Sequence, residues 1–154
     1  MHVASRRRIL ASPAAIHLYL SHATSLRTCL PECDSFSGAL EPGYDFVLTR
    51  RIGMFSITFN GRITFSRIEP GVGYVLDVAG SSAMSGQLAA QLKLVLTPRA
   101  RATLLDAEGA CDPPTRMAVL GRDRIAQGFA HGVNSLLDRM KSALEAAPAD
   151  HTPH

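Results

Sequence analysis

The sequence predicts a single α+β domain in which a seven-stranded antiparallel sheet curls around one long C-terminal helix, with two short helices after the first strand. Three observations predict it. Apolar and polar residues alternate with a period of two from Cys33 to about Asp112, apolar residues recur every three or four positions from 122 to about 146, and the first thirty residues read as strand, turn and two helical pieces. Helices and strands segregated in this way build a sheet with one dry face, and only the long helix is large enough to cover it.

The first strand is expected near residues 2 to 10. Ser12-Pro13 then opens a short helix with Ile16, Tyr19 and Leu20 on one side. A second piece, about 24 to 30, carries Leu26, Cys29 and Leu30 and ends at Pro31. Both are too short to stand alone. Arg6, Arg7 and Arg8 precede "ILASPAAIHLYL" with no acidic residue before Glu32, which imitates a presequence. Ser12, Pro13 and His17 interrupt that apolar run, so the stretch is expected to fold as strand, turn and helix.

Six further strands follow. The clearest is "SITFNGRITFS", where Ile57, Phe59, Gly61, Ile63 and Phe65 alternate with Thr58, Asn60, Arg62 and Thr64; one face is dry and the other wet. Tyr44, Phe46 and Leu48 repeat the pattern, as do Tyr74, Leu76 and Val78, and Leu88, Ala90, Leu92, Leu94 and Leu96. Glu41-Pro42-Gly43, Gly53-Met54, Glu69-Pro70-Gly71 and Thr97-Pro98 supply the turns of a meander. Asp112-Pro113-Pro114 breaks the last strand, and the long helix presents Ile125, Phe129, Val133, Leu136, Met140 and Leu144. Asp123, Gln127, His131, Asn134, Asp138, Lys141 and Glu145 are expected to face water. The domain spans 1–147, with a short flexible tail at 148–154.

Composition narrows the function classes. The chain has 154 residues, of which 46% are hydrophobic, enough for one sizeable core. No run approaches the length of a transmembrane helix, so a soluble protein is expected. The net charge of +3 rests on arginines scattered along the chain, and no nucleic-acid-binding stripe emerges. Arg6 to Arg8 and Arg50-Arg51 are runs that can meet acidic headgroups or an acidic partner surface, although solvated strand charge is their usual meaning. Cys29, Cys33 and Cys111 are odd in number and match neither a redox pair nor a zinc knuckle; free buried thiols in a reducing cytoplasm are expected. His2, His17, His22, His131, His151 and His154 have no metal-binding spacing, and the glycines at 71, 73, 80 and 86 form no phosphate loop.

Two glycines raise the functional question. In "RDRIAQGFAHGVNSLLDRM", Gly128 and Gly132 fall beside Ile125, Phe129 and Leu136 on the helix, and each costs about 1 kcal/mol relative to alanine. They serve either close approach of helix and sheet or an open apolar space for a ligand, and the residue pattern alone favours neither. The ionisable residues that would support catalysis are His22, Asp77, Asp106, Glu108, Arg122 and Arg139, but no pair of them has a spacing that implies a base within reach of a substrate. By parity Asp77 belongs to the wet face. Arg139, at the edge of the apolar stripe, either meets a ligand carbonyl or extends past it to water.

Several segments resemble, in matching order, the carbon monoxide dehydrogenase G-subunit proteins of the START-like (SRPBCC) helix-grip superfamily. They are "IHLYL" with "LRTCLP" at 16–31, Phe59-Asn60-Gly61, the small-residue stretch Ala79 to Gly86, and "MAVLG" followed by Ile125 and Gly128. The resemblance implies an apolar cavity between sheet and C-terminal helix, and an accessory role beside a molybdenum hydroxylase of the carbon monoxide dehydrogenase type. By the inward register it implies, the cavity is lined by Phe46, Phe59, Gly61, Ile63, Leu76, Leu92, Ala107, Gly109, Leu120, Ile125, Gly128, Phe129, Gly132 and Leu136, with Arg139 as a polar contact. The chain departs from the family at His22-Ala23, where the family has Asp-Pro, and at Glu32, where it has Gly. The expected protein is thus a cytoplasmic, bacterial binder of a quinone-like or lipid-like molecule, with no covalent cofactor, no catalytic residue, no metal and no nucleic acid. Any membrane association is expected to be peripheral, and the oligomeric state stays open. A START-like cyclase or hydrolase, and an interaction module whose cavity its own side chains fill, are the alternatives.

Overall fold

Alternation in the sequence becomes one continuous sheet. A computed structural model describes residues 1–30, 33–52, 54–83, 86–112 and 122–146, the side chains of 50, 52, 55 and 122–126 excepted. The chain runs β1 (His2–Ile9), α1 (Pro13–Leu20), α2 (Ala23–Arg27), β2 (Cys33–Ala39), β3 (Gly43–Ile52), β4 (Phe55–Glu69), β5 (Gly73–Ser82), β6 (Gly86–Arg99), β7 (Ala102–Asp112) and α3 (Arg122–Ala146). The seven strands form a sheet in the order β1-β7-β6-β5-β4-β3-β2, each pair antiparallel. The predicted set of seven strands, two short helices and one long one is therefore present. Leu120, the Pro113-Pro114 break and the tail at 148–154 lie outside the described residues.

The register puts one set of residues on the inner face: Tyr44 opposite Ile63, Phe46 opposite Gly61, Leu76 opposite Leu92 and Leu94 opposite Ala107. This is the parity expected from the alternation. The described residues pack most completely at the end of the sheet where α1 lies. There Ile9, Ile16, Leu20, Tyr74, Leu94, Leu105, Leu137 and Met140 are buried. Ser12 starts α1 by accepting a hydrogen bond from Ala15 N–H at 3.1 Å, with Pro13 at the first helical position. Tyr44 Oη donates to the Leu20 carbonyl at 2.7 Å, which fixes the end of α1 to β3. Rings continue under the helix from Phe36 to Tyr44, Phe65, Tyr74 and His17, and the Tyr74 hydroxyl lies 2.6 Å from His17 Nδ1.

Two expectations are corrected. Thr97-Pro98 is not a turn: β6 continues to Arg99, Pro98 pairs with Thr103, and the chain reverses at Ala100-Arg101. Proline is tolerated there because the pairing of β5 with β6 begins only at Gly73 and Val95, so the N–H that Pro98 lacks is not needed by a neighbouring strand. The second correction concerns α3. Its deepest residues are Val133, Leu137, Met140 and Leu144, with Leu137 fully buried and Leu136 only half-buried.

The rotation follows from what the polar flank of α3 touches. Asn134, Asp138, Lys141 and Glu145, expected in water, instead meet edge strand β1. Arg7 points inward from β1, and its guanidinium donates to Asp138 Oδ1 at 2.7 Å, Asn134 Oδ1 at 2.9 Å and Ser5 Oγ at 2.9 Å. Lys141 Nζ donates to the Arg8 carbonyl at 2.8 Å, and Glu145 accepts from Leu10 N–H at 2.9 Å and from Lys141 at 2.6 Å. The carbonyl of Arg8 and the N–H of Leu10, which β7 does not pair, are thereby satisfied.

The Glu145 carboxyl is held below its ordinary value, first by the Lys141 hydrogen bond and then by Leu10 N–H. A group depressed in the folded state stabilises above its unfolded pKa and loses that contribution as pH falls through the folded value. Glu145→Gln is therefore expected to flatten the acid limb of a stability-versus-pH curve below the ordinary carboxylate range. The effect should be less than about 1 kcal/mol, as for other solvent-accessible pairs, and urea titrations at stepped pH would read it.

Candidate functional site

The concave face of the sheet is sealed at one end and less complete at the other. Toward α1, Leu76 and Ala107 are buried beside Leu94 and Leu105, so these two predicted cavity residues belong to the packed core. Toward the opposite end, Phe46, Phe59, Ile63 and Leu92 face inward but stay half-buried, and Leu92 packs against the core's margin together with Phe129 and Leu136 of α3. Among the described residues this leaves a concave apolar surface on β3, β4 and β6, the candidate groove, on the side toward Phe129 and Leu136 of α3.

Four glycines line it, in two different ways. The Phe46 ring occupies the place where a Cβ on Gly61 would stand. A Cβ on Gly109 would meet Val3 Cγ1 at 2.9 Å and Phe129 Cζ at 3.0 Å. On the sheet wall, then, missing side chains admit aromatic rings. On the helix the picture differs: among the described residues a Cβ at Gly128 or Gly132 would have no neighbour within 4 Å. Gly132 is half-buried, whereas Gly128 is exposed, so Gly128 sits at the rim and does not open toward the sheet. The seating of α3 on β1 explains this, since at 100° per residue Gly132 and Gly128 lie roughly 100° and 140° around the helix from Val133. Ile125 and Leu120 lie outside the described side chains.

Arg139 is exposed on the same helix flank. It lines a shallow recess of about 420 Å³ with Thr28, Ser135, Asp138, Ser142 and Ala143, where the end of α2 approaches α3. Beneath it, Tyr19 Oη lies 2.6 Å from Thr28 Oγ1 and 2.8 Å from Cys29 Sγ. Sequence reading misses this cluster, although it places Tyr19 and Cys29 on apolar helix faces. Burial pushes the Cys29 thiol and the Tyr19 phenol up, and it pushes Cys111 up on the inner face of β7. These thiols are protonated, packed groups, a poor state for nucleophilic attack.

The ionisable residues considered for catalysis are dispersed. Asp106 pairs with Arg6 at 2.6 Å, Asp77 accepts from Gln91 at 2.9 Å on the outer face, His22 Nδ1 lies 2.8 Å from the Leu18 carbonyl, and Glu108 is exposed. The side chain of Arg122 lies outside the described set. Among the described residues no three His, Cys, Asp or Glu side chains gather as metal ligands, and no helix is long and apolar enough to cross a membrane. Cys29, Cys33 and Cys111 are free, and the first and last of them are buried.

A curled antiparallel sheet of seven strands gripping a long C-terminal helix, with two short helices after the first strand, defines a START-like helix-grip protein. Solved structures share this fold. A conserved protein from Geobacillus kaustophilus superposes with a TM-score of 0.85 at 16% identity, covering 96% of this chain and 97% of its own. A Chromobacterium violaceum protein gives 0.68 at 13% identity over 94% and 96%, and one from Thermus thermophilus gives 0.67 at 14% over 96% and 99%. No curated protein matches the sequence. The family model of the carbon monoxide dehydrogenase G-subunit (CoxG) matches residues 6–145, and the chain belongs to that family.

Proposed function

We propose that this chain binds an apolar small molecule, quinone-like or lipid-like, in the groove between sheet and α3, and that it acts as an accessory to a molybdenum hydroxylase of the carbon monoxide dehydrogenase type. One observation carries the ligand reading. Phe46, Phe59, Ile63 and Leu92 are only half-buried although they point into the concave face, and on α3 a Cβ at Gly132 would meet no described atom within 4 Å. An apolar surface partly open to water, with room next to it, gains on the order of 25 cal/mol for each Å² that a hydrophobic guest covers. Family membership supports the accessory role. No chemistry is assigned to the chain itself, because the ionisable groups described do not converge on the groove.

Gly132→Phe tests the ligand reading. A phenyl ring there would lie in the open space flanked by Leu136 and Phe129. Binding of anilinonaphthalene sulfonate or a short-chain ubiquinone, followed by fluorescence, is expected to weaken at least about tenfold, the effect of losing roughly 1.4 kcal/mol of burial. The melting temperature should stay close to that of the parent. Undiminished binding by a folded variant removes the groove as the site. For the accessory role, the expected result is co-purification with molybdopterin-containing and iron–sulfur subunits from native extracts; capture of neither defeats it.

A further inference from the structure

The recess between α2 and α3 collects hydrogen-bond donors and a charge that the described residues leave unused. Ser135, Arg139 and Ser142 stand at i, i+4 and i+7 on α3, so one face of the helix carries all three. They line the depression of about 420 Å³, and Asp138, Ala143 and Thr28 complete it. Two of these six are already committed. The Asp138 carboxylate accepts from Arg7 at 2.7 Å, and the Thr28 hydroxyl donates to the Ser25 carbonyl at 2.6 Å.

Arg139 is not. A charged side chain on a helix surface meets its partner three or four positions away, and here those positions hold Ser135, Leu136, Ser142 and Ala143. Among the described residues no acid pairs with Arg139, whereas Lys141 has Glu145 and Arg7 has Asp138. Ser142 has no hydrogen bond among the described residues, and Ser135 reaches only His131 Nε2, at 3.5 Å. With Asp138 matched by Arg7, the charge left over in the recess is that of Arg139. Its guanidinium is near enough to act on the floor: burial pushes the Cys29 thiol up, the Tyr19 and Thr28 hydrogen bonds oppose that, and so does the Arg139 charge.

We propose that this recess binds a phosphate group, free or carried by a small monoester, between the Arg139 guanidinium and the hydroxyls of Ser135 and Ser142. The charge selects an anion, and the donors select among anions. A guanidinium fork takes two oxygens of a carboxylate or of a phosphate. That uses up the carboxylate. A phosphate keeps a third oxygen for the hydroxyls, which stand about one turn to either side of Arg139 along the helix. The depression is larger than a phosphate group, which leaves room for the organic part of an ester beside Thr28 and Ala143. The inference stands whether or not the groove holds a ligand.

Titration of the full chain with glycerol 3-phosphate, inorganic phosphate and propionate at fixed ionic strength, followed by amide chemical shifts, tests it. Both phosphates are expected to shift the amides of Thr28 and of Ser135 to Ala143 saturably, and propionate is expected to shift them far less. Tighter binding of glycerol 3-phosphate assigns the site to a monoester; tighter binding of inorganic phosphate assigns it to the free ion. Arg139→Met should weaken binding at least about tenfold, the effect of losing hydrogen bonds to a charged group. Ser135→Ala and Ser142→Ala should each weaken it by roughly threefold or more. Arg101→Met removes another exposed arginine, from the β6–β7 turn, and should bind phosphate like the parent. Thermal melting checks that each variant keeps the fold. Absence of saturable shifts with either phosphate overturns the proposal, as does equal weakening by Arg139→Met and Arg101→Met. Propionate binding as tight as that of the phosphates also overturns it.

Discussion

Leu137→Ala is expected to lower the folding stability by about 3 kcal/mol, within the range of roughly 2–5 kcal/mol typical of truncating a fully buried leucine. Leu137 has no exposed surface and lies in the cluster with Val133, Met140, Leu105 and Ile9. Neighbouring elements close on it from β1, β7 and α1, so little collapse into the void is available. Leu136→Ala, one position away, should cost clearly less because Leu136 is half-buried at the groove. Chemical denaturation of the two variants side by side tests the rotational setting of α3. Equal losses, or a larger loss at 136, would show that the helix faces the sheet with the stripe centred on Leu136.

A second result should have the opposite sign. Replacing Gly128 and Gly132 together by alanine is expected to stabilise the protein by about 2 kcal/mol, since each glycine in a helix interior costs about 1 kcal/mol relative to alanine. Neither new methyl meets an atom within 4 Å, so no clash offsets the gain. For a domain of this size the melting temperature should rise by roughly 4–8 °C. Gly61→Ala is the contrast. Its methyl would collide with the Phe46 ring, which must swing away, and a loss of roughly 1–3 kcal/mol is expected. If the helical pair instead destabilised, the space beside them would have to be occupied.

Much of the fold was legible because a period of two admits a single assignment of faces. Once Tyr44, Phe46 and Leu48 are read as inward, the inward set on each neighbouring strand follows, and the register agrees through β7. The limits of α3 were equally readable from the change of period and the breaking prolines. Its rotation was not. Leu136 and Leu137 are both apolar, and hydropathy ranks Asn134, Asp138, Lys141 and Glu145 as solvent-facing whether their partner is water or the open edge of β1. The inward odd-numbered positions of β1 held the clue, since they place Arg7 toward the helix. The candidate groove was legible only as a choice between filled and open. Sequence does not say which missing side chain a neighbouring ring will enter, and here Gly61 received Phe46 while Gly132 received nothing.

The bracing of β1 by Arg7, Lys141 and Glu145 has a consequence for self-association. The Arg7 guanidinium and Lys141 occupy the outward carbonyls of Arg6 and Arg8, and α3 presses a charged flank against that edge, which disfavours the addition of another strand there. At the opposite margin the Arg27 guanidinium holds the carbonyls of Cys33 and Asp34 at 3.4 and 3.2 Å. Addition of strands is thus discouraged at both margins of the sheet by side chains of the fold itself.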